Sequence, residues 1–147
     1  MGTIKTDSFL QKAIEQQIKE GELVTLCVTG KSMRPYLSGN GSEFIVVSRH
    51  QPEELKRGAI ILFPYNNKYI FHRVISKIGN VFIVQGDGNC IQTEEVKLED
   101  VLGIVRFIIR PGGEKVTTDG LSAQVYWRIW LFLRPIRKYL LKIMNDE

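Results

Sequence analysis

Cysteine and histidine are both scarce in this chain of 147 residues, and each scarcity excludes a class of small protein. The two cysteines, Cys27 and Cys90, are too few for a framework of disulfides. The two histidines, His50 and His72, have no spacing to a cysteine or to one another that is typical of a zinc site. We therefore expect no bound metal ion and no other cofactor.

Long apolar segments are also missing. No stretch reaches the roughly 18 consecutive apolar residues that a transmembrane helix needs. Residues 1–7 lack the apolar segment of a secretory signal peptide. The sequence therefore predicts neither a signal peptide nor a transmembrane helix, and a protein that is cytoplasmic or peripherally associated with a membrane.

The composition is that of an ordinary globular protein, with 44% hydrophobic and 24% charged residues. We predict a single domain over residues 1–147. The formal net charge of +4 is too small to indicate nucleic acid, and we expect no such partner. The charge is also uneven, because residues 1–120 hold 15 basic and 14 acidic side chains, whereas residues 121–147 hold five and two. The C-terminal segment therefore needs an explanation of its own.

Two periodicities follow one another along the chain. Apolar spacing predicts a helix over residues 7–21, capped by Asp7 or Ser8 and ended by Gly21. From residue 22 to residue 118, short β-branched and apolar runs alternate with glycine and asparagine turns, which is typical of antiparallel β structure. We predict a mainly β fold, a coiled antiparallel barrel or sandwich with a helix at each end. The predicted strands are residues 23–28, 43–47, 59–63, 69–78, 81–84, 101–109 and 115–117.

Helical spacing returns over residues 121–144, a basic amphipathic segment rich in tryptophan and tyrosine. Pro135 should kink or divide this helix near its middle. Two placements stay open. One is peripheral contact of residues 125–143 with a membrane interface, where basic side chains would meet anionic headgroups. The other is packing across the β core or against a partner chain.

A serine, Ser32, follows the first predicted strand in the segment TGKSMRP, residues 29–35. Gly30 permits a tight turn and Pro35 prevents a helix from continuing, so an acyl-transfer nucleophile could be held there. A turn serine that bonds its own backbone fits the same residues. This segment alone leaves both interpretations open.

A histidine, His72, lies within the predicted strand 69–78. Ile70 and Val74 share its face, because side chains alternate along a strand. An imidazole between two apolar neighbours could serve as a general base. A core histidine with one satisfied hydrogen bond is the alternative.

An aspartate, Asp87, follows the predicted strand 81–84 and lies between Gly86 and Gly88. A carboxylate there could accept from an imidazole N–H and fix its tautomer. Since Asp-Gly is also a common hairpin signal, an ordinary turn is the alternative.

The order of several motifs is more specific than any one of them. They are Ser32-Met33-x-Pro35, Arg57-Gly58, His72-Arg73-Val74, Gly86-Asp87-x-Asn89 and Leu102-Gly103-x-Val105. Over residues 24–106 this arrangement resembles the type I signal peptidase family, serine endopeptidases with a coiled β core. Bacterial members carry lysine before the arginine of the third motif, whereas endoplasmic-reticulum and archaeal members carry histidine. The chain resembles the histidine subtype.

The resemblance implies a Ser-His endopeptidase that cuts a leader, signal or propeptide-type segment of a peptide or protein substrate. By position, it implies Ser32 as nucleophile, His72 as general base and Asp87 as an orienting or site-shaping acid. The supporting and substrate-cleft residues that it implies are Met33, Pro35, Arg73, Asn89 and Glu94.

The chain departs from the family in three respects. The usual N-terminal transmembrane anchor is missing, and Ala59 stands where the family has an aspartate after Arg-Gly. The histidine subtype carries a second aspartate shortly after the Gly-Asp-x-Asn motif. Here that neighbourhood is residues 92–95, QTEE, so that Asp87 and Glu94 are both candidates for the third member of a triad.

Two other functions stay open. One is a binding module on a peptidase fold that no longer cleaves. The other is a self-cleaving regulator similar to the peptidase domains of SOS repressors, which share the β core. Those regulators use lysine where His72 stands and carry a helix-turn-helix, for which residues 1–21 are too short. The sequence does not specify an oligomeric state.

Overall fold

A computed structural model describes residues 3–4 and 8–145, which form nine strands and three α-helices. The strands are Thr3–Ile4 (β1), Val24–Thr29 (β2), Asn40–Ser48 (β3), Ile60–Tyr65 (β4), Lys68–Ile78 (β5), Val81–Gln85 (β6), Glu94–Lys97 (β7), Gly103–Ile109 (β8) and Lys115–Thr117 (β9). The helices are Ser8–Lys19 (α1), Leu121–Phe132 (α2) and Arg137–Asn145 (α3). Every strand predicted from the sequence is present within a few residues, and β1 and β7 are additional.

The first helix ends where the sequence predicts. Gly21 has a φ of +87°, which glycine adopts without the steric cost that a side chain would bring. Its N–H donates to the Ile18 carbonyl at 3.0 Å and closes the last turn. Asp7, one of the two predicted caps, lies outside the described residues.

The strands belong to one antiparallel sheet. Its hydrogen-bonded order is β1-β2-β3-β8-β4-β5-β6-β7, with β9 paired to β8. The short β1 pairs with β2 through Thr3 and Thr29 and with β5 through Ile4 and Tyr69. The prediction of a mainly β fold with helices at both ends is confirmed.

Alternate residues of the central strands pack into two hydrophobic clusters. Leu62 of β4 and Phe71 of β5 lie in one cluster, together with residues of α1. Phe63 of β4 and Ile70 of β5 lie in the other. Because strand side chains alternate between faces, the two clusters cover opposite faces of β4 and β5. These strands are therefore held on both sides, which makes β5 a rigid support for the polar side chains that it carries.

The C-terminal segment is helical, and it divides at Pro135 as predicted. A 3₁₀ turn, Arg134–Ile136, separates α2 from α3. Gly58 has a φ of +96°, and a Cβ on it would collide with the Trp127 indole, so that α2 packs directly on this glycine. Within the described residues, no helix is both long and apolar enough to cross a membrane.

Candidate active site

Ser32, His72 and Glu94 form one line of hydrogen bonds. The Ser32 Oγ lies 3.0 Å from His72 Nε2, and His72 Nδ1 lies 3.1 Å from Glu94 Oε2. All three are buried, with exposed fractions of 4%, 0% and 5%. Since an ionised carboxylate only accepts, Nδ1 carries the imidazole proton and Nε2 is left to accept from the serine hydroxyl. This is the arrangement by which an orienting acid and an imidazole activate a nucleophile.

The sheet register explains how residues far apart in sequence meet. In β5 and β6, Val74 pairs with Val84, and in β6 and β7, Val84 pairs with Glu94. These three residues form one row across the sheet, on one face. His72 lies two residues before Val74 and therefore shares that face. The carboxylate reaches the imidazole diagonally across the intervening strand.

Asp87 does not contact the imidazole, and the expectation that it accepts from the His72 N–H is wrong. Its two carboxylate oxygens each accept from Arg73, Oδ1 from Nε and Oδ2 from Nη2, both at 2.9 Å. The physical reason is the alternation of β5, since Arg73 follows His72 directly and points to the opposite face. Arg73 also donates from Nη1 to the Gly58 carbonyl at 2.9 Å. Asp87 is thus the partner of a buried guanidinium rather than of the candidate base.

The Arg73–Asp87 pair is enclosed by aromatic rings from two other segments. The guanidinium carbon lies 5.1 Å from the Tyr36 ring centroid and 5.6 Å from that of Tyr126, and these two rings stack at 4.9 Å. The Tyr126 hydroxyl donates to Asp87 Oδ2 at 2.9 Å, and the Trp130 Nε1 donates to the Asp87 carbonyl at 2.7 Å. Tyr36 lies in the loop that carries the candidate nucleophile, and the other two rings belong to α2. The C-terminal helix therefore joins the two loops of the site.

Burial and the charge of Asp87 act together on the pKa of Tyr126 and against each other on the pKa of Arg73. Burial raises the pKa of Tyr126, and the Asp87 carboxylate raises it further, so that the hydroxyl remains a donor. Burial opposes the charge of Arg73, but the attraction of Asp87 outweighs it and raises the pKa of the guanidinium. Each of the three guanidinium nitrogens also donates a hydrogen bond, and partners of this kind are what a buried charge requires.

A glycine-rich turn brings the loop of Ser32 close to the imidazole. The N–H of Gly88 donates to the Ser32 carbonyl at 2.6 Å. A Cβ on Gly86 would collide with that same carbonyl and come within 3.0 Å of His72 Nε2. Only glycine therefore permits this approach of the two backbones, and the approach fixes the position of the serine relative to the base.

The remaining predicted site residues lie around this centre. Met33 is buried in the cluster that includes α1, so it supports the serine loop from the core. Pro35 is exposed and borders a cleft of about 300 Å³ with Tyr36 and Tyr126. The Asn89 carbonyl accepts from Arg137 Nη1 at 3.0 Å, which fastens the end of the glycine turn to α3.

Two parts of the site were missed by sequence reasoning. Strand β7 was not predicted, because its sequence EEVK is short and mostly charged. In the structure its burial alternates, with Glu94 and Val96 inward, but Glu94 is charged, so the sequence shows no apolar alternation that would indicate a strand. The contacts of Tyr126, Trp130 and Arg137 with the glycine turn had no local signal, because they depend on where α2 and α3 pack.

Comparison of the chain with protein-family models, with curated proteins and with solved structures finds no match.

Proposed function

We propose that the protein is a serine endopeptidase of the type I signal peptidase kind, histidine subtype, with Ser32, His72 and Glu94 as its catalytic triad. The observation that carries the proposal is the line of hydrogen bonds from Ser32 Oγ through the imidazole to Glu94. The order of sequence motifs and the antiparallel sheet support the same assignment. The β domain is then the peptidase core, with the site beside β5.

The chemistry follows from the positions of the three side chains. As Ser32 Oγ bonds to the carbonyl carbon of a peptide, its proton passes to His72 Nε2, and Glu94 stabilises the imidazolium through Nδ1–H. The C–N bond then breaks, and the same proton passes to the departing amine. A water molecule, deprotonated by His72, hydrolyses the acyl ester and regenerates the serine. The products are a new carboxyl terminus and a new amino terminus.

Arg73 and Asp87 take a positioning role in this proposal. Neither side chain lies on the line of proton transfer, yet Asp87 belongs to the turn that contacts the Ser32 backbone. The family resemblance assigns the Ser32 N–H as a donor to the developing oxyanion. A rigid turn behind that segment would keep such a donor in place as charge develops.

The proposed substrate is a leader, signal or propeptide-type segment. The family resemblance favours small residues on both sides of the scissile bond. Purified protein incubated with peptides of this kind should give two fragments that mass spectrometry identifies. Cleavage within the chain itself would instead indicate a self-cleaving regulator.

A fluorophosphonate probe tests the catalytic assignment without knowledge of the substrate. It should label Ser32 in the wild type, as mapped by peptide mass spectrometry. His72→Ala should slow labelling by about 10²–10⁴-fold, the usual contribution of a general base, and Ser32→Ala should abolish it. The matched controls are Ser122→Ala, an exposed serine of α2, and His50→Ala, the other histidine of the chain.

Equal labelling of wild type and His72→Ala, or labelling at a serine other than Ser32, would contradict the proposal.

One observation favours a second candidate, a binding module that no longer cleaves. Ser32 is only 4% exposed, so that its hydroxyl is largely covered. A chain that binds peptides but neither cleaves them nor reacts with the probe would be such a module.

A further inference from the structure

The C-terminal helices have two apolar sides, and only one of them is covered. The inner side packs against the β domain through buried residues, among them Ala123, Trp130, Leu131 and Leu141. An apolar face of a helix is normally buried against another element. The outer side of α2 and α3 is instead open, so that something outside the described residues must cover it for the burial to be complete.

The exposed apolar residues form one stripe along both helices. Within each helix their separations of three and four residues are those of a single helical face, and Ile136 lies in the turn between the helices. Phe132 is 83% exposed and Leu121 is 82% exposed, and a contiguous set of such side chains is typical of an interaction surface. We call this set the outer stripe; its members are Leu121, Val125, Ile129, Phe132, Ile136, Tyr139 and Ile143.

The charged side chains of α2, of α3 and of the turn between them have one sign. Residues 121–145 contain five basic side chains and no acidic one. Arg137 is buried, and the other four, Arg128, Arg134, Lys138 and Lys142, are exposed. Two copies of the chain that met stripe to stripe would bring like charges together, which disfavours self-association as the cover. A negatively charged surface matches both the stripe and its basic border.

We propose that the outer stripe of α2 and α3 docks on an anionic lipid surface, with the helices lying in the plane of the interface. Apolar side chains would enter the boundary between headgroups and acyl chains, while basic side chains meet the headgroups. The inner side of α2 holds Asp87 through Tyr126 and Trp130. Docking would therefore place the glycine turn about one helix diameter, roughly 10 Å, from the lipid.

Sedimentation with lipid vesicles tests this proposal and requires no catalytic activity, so its outcome is separate from that of the proposed peptidase function. The purified chain should sediment with vesicles of phosphatidylcholine and phosphatidylglycerol, and much less with phosphatidylcholine alone. Raising the ionic strength should release a large part of the protein, because screening weakens the attraction of exposed charges.

Variants test whether vesicle binding depends on the outer stripe or on exposed apolar residues anywhere in the chain. The double variant Ile129→Ser/Phe132→Ser should lower binding by about tenfold or more, since two large side chains no longer enter the interface. The matched control Ile78→Ser/Ile91→Ser removes two isoleucines of the β domain that are 72% and 87% exposed, against 54% and 83% for Ile129 and Phe132, and it should leave binding unchanged. Both variants should keep the thermal midpoint of the wild type, because the substituted residues are exposed.

A second pair of variants tests the charge. Each basic side chain near an anionic surface contributes about fivefold to binding, so Lys138→Gln/Lys142→Gln should bind about 25-fold more weakly. Lys12→Gln/Lys68→Gln, with the same loss of charge at exposed positions of α1 and β5, should bind like the wild type.

Three results of the vesicle experiments would overturn the proposal. The first is that the protein binds neither type of vesicle, and the second is that it binds equally to vesicles with and without phosphatidylglycerol. The third is that the test variants and their matched controls lose the same amount of binding. Self-association that Phe132→Ser abolishes would also overturn it, because a second copy of the chain would then be the cover of the outer stripe.

Discussion

Glu94 Oε2 lies 3.1 Å from His72 Nδ1, although the two residues are on strands separated by a third. Asp87 belongs to the glycine turn of the site, yet both of its carboxylate oxygens accept from Arg73. The two acids therefore have separate tasks. Glu94 fixes the imidazole, and Asp87 fixes the turn.

Glu94→Gln should damage the site more than Asp87→Asn. A glutamine amide can donate to Nδ1 and so stabilise the tautomer that has its proton on Nε2, where it cannot accept from Ser32. In catalytic triads the wrong imidazole tautomer lowers the rate about 10⁴-fold. We therefore expect labelling by a fluorophosphonate to slow by about 10³–10⁴-fold. Asp87→Asn leaves both imidazole contacts in place and should stay within about tenfold of the wild type where it remains folded. The reverse order of effects would assign the orienting role to Asp87.

Arg73 and Asp87 should be strongly coupled in stability. Arg73→Leu leaves the Asp87 carboxylate buried without its guanidinium and should cost about 3–5 kcal/mol. In the double variant Arg73→Leu/Asp87→Asn the uncompensated charge is gone, so its cost should fall short of the sum of the single costs by about 1–3 kcal/mol. Urea unfolding of the four proteins measures this difference. Strictly additive costs would mean that the pair does not act as a unit.

Gly86→Ala should impair the site for a steric reason alone, because the φ of Gly86 is not in the left-handed region. The added methyl would push the Ser32 carbonyl and the His72 imidazole away from the turn. We expect the rate of Ser32 labelling to fall by about 10²-fold, the size of effect that a displacement of about 1 Å has on a positioned nucleophile.

Gly79→Ala is the matched control for that substitution. It introduces a methyl at a φ of +61° with open space around it, in the turn that joins β5 to β6, at the end of this hairpin opposite the Arg73–Gln85 pairing next to the site. It should lower stability by about 1 kcal/mol and leave the labelling rate unchanged. A similar loss of labelling in both variants would mean that Gly86 acts through general stability.

The β body could be predicted from its sequence because each of its elements has a local signal. Tyr69–Ile78 alternates clearly enough that His72, Ile70 and Val74 were expected on one face, and Ile70 and Val74 do share a hydrophobic cluster. Gly21 and Pro135 predicted the end of one helix and the division of another, and both predictions are confirmed. Such features depend on a few adjacent residues.

The partner of each acid could not be predicted, because it depends on sheet register and on the packing of α2. Nothing between residues 84 and 94 indicates that the chain returns as β7 and pairs Glu94 with Val84. Position in the family's motifs implied Asp87 as an orienting or site-shaping acid, whereas its carboxylate accepts from Arg73, which strand alternation places on the face opposite His72. Long-range register, rather than motif spacing, decides which carboxylate meets the imidazole.

The pair Arg106–Glu54 should give the protein a component of stability that acid removes. Hydrogen bonds from Arg106 and from the Gln51 N–H lower the pKa of Glu54 from 4.5 to about 2. Because the folded pKa lies below the unfolded one, the pair stabilises the fold fully above pH 4.5 and loses that contribution as the pH falls toward 2. Both side chains are partly exposed, so we expect the pair to contribute about 1 kcal/mol to the free energy of unfolding at neutral pH.

Glu54→Gln should therefore lower the urea midpoint at pH 7, and its difference from the wild type should shrink steadily in titrations toward pH 3. Glu53→Gln, at the exposed neighbouring position, is the matched control and should show a much smaller difference at every pH. A deficit of Glu54→Gln that is independent of pH would show that the glutamate acts through packing rather than through its charge.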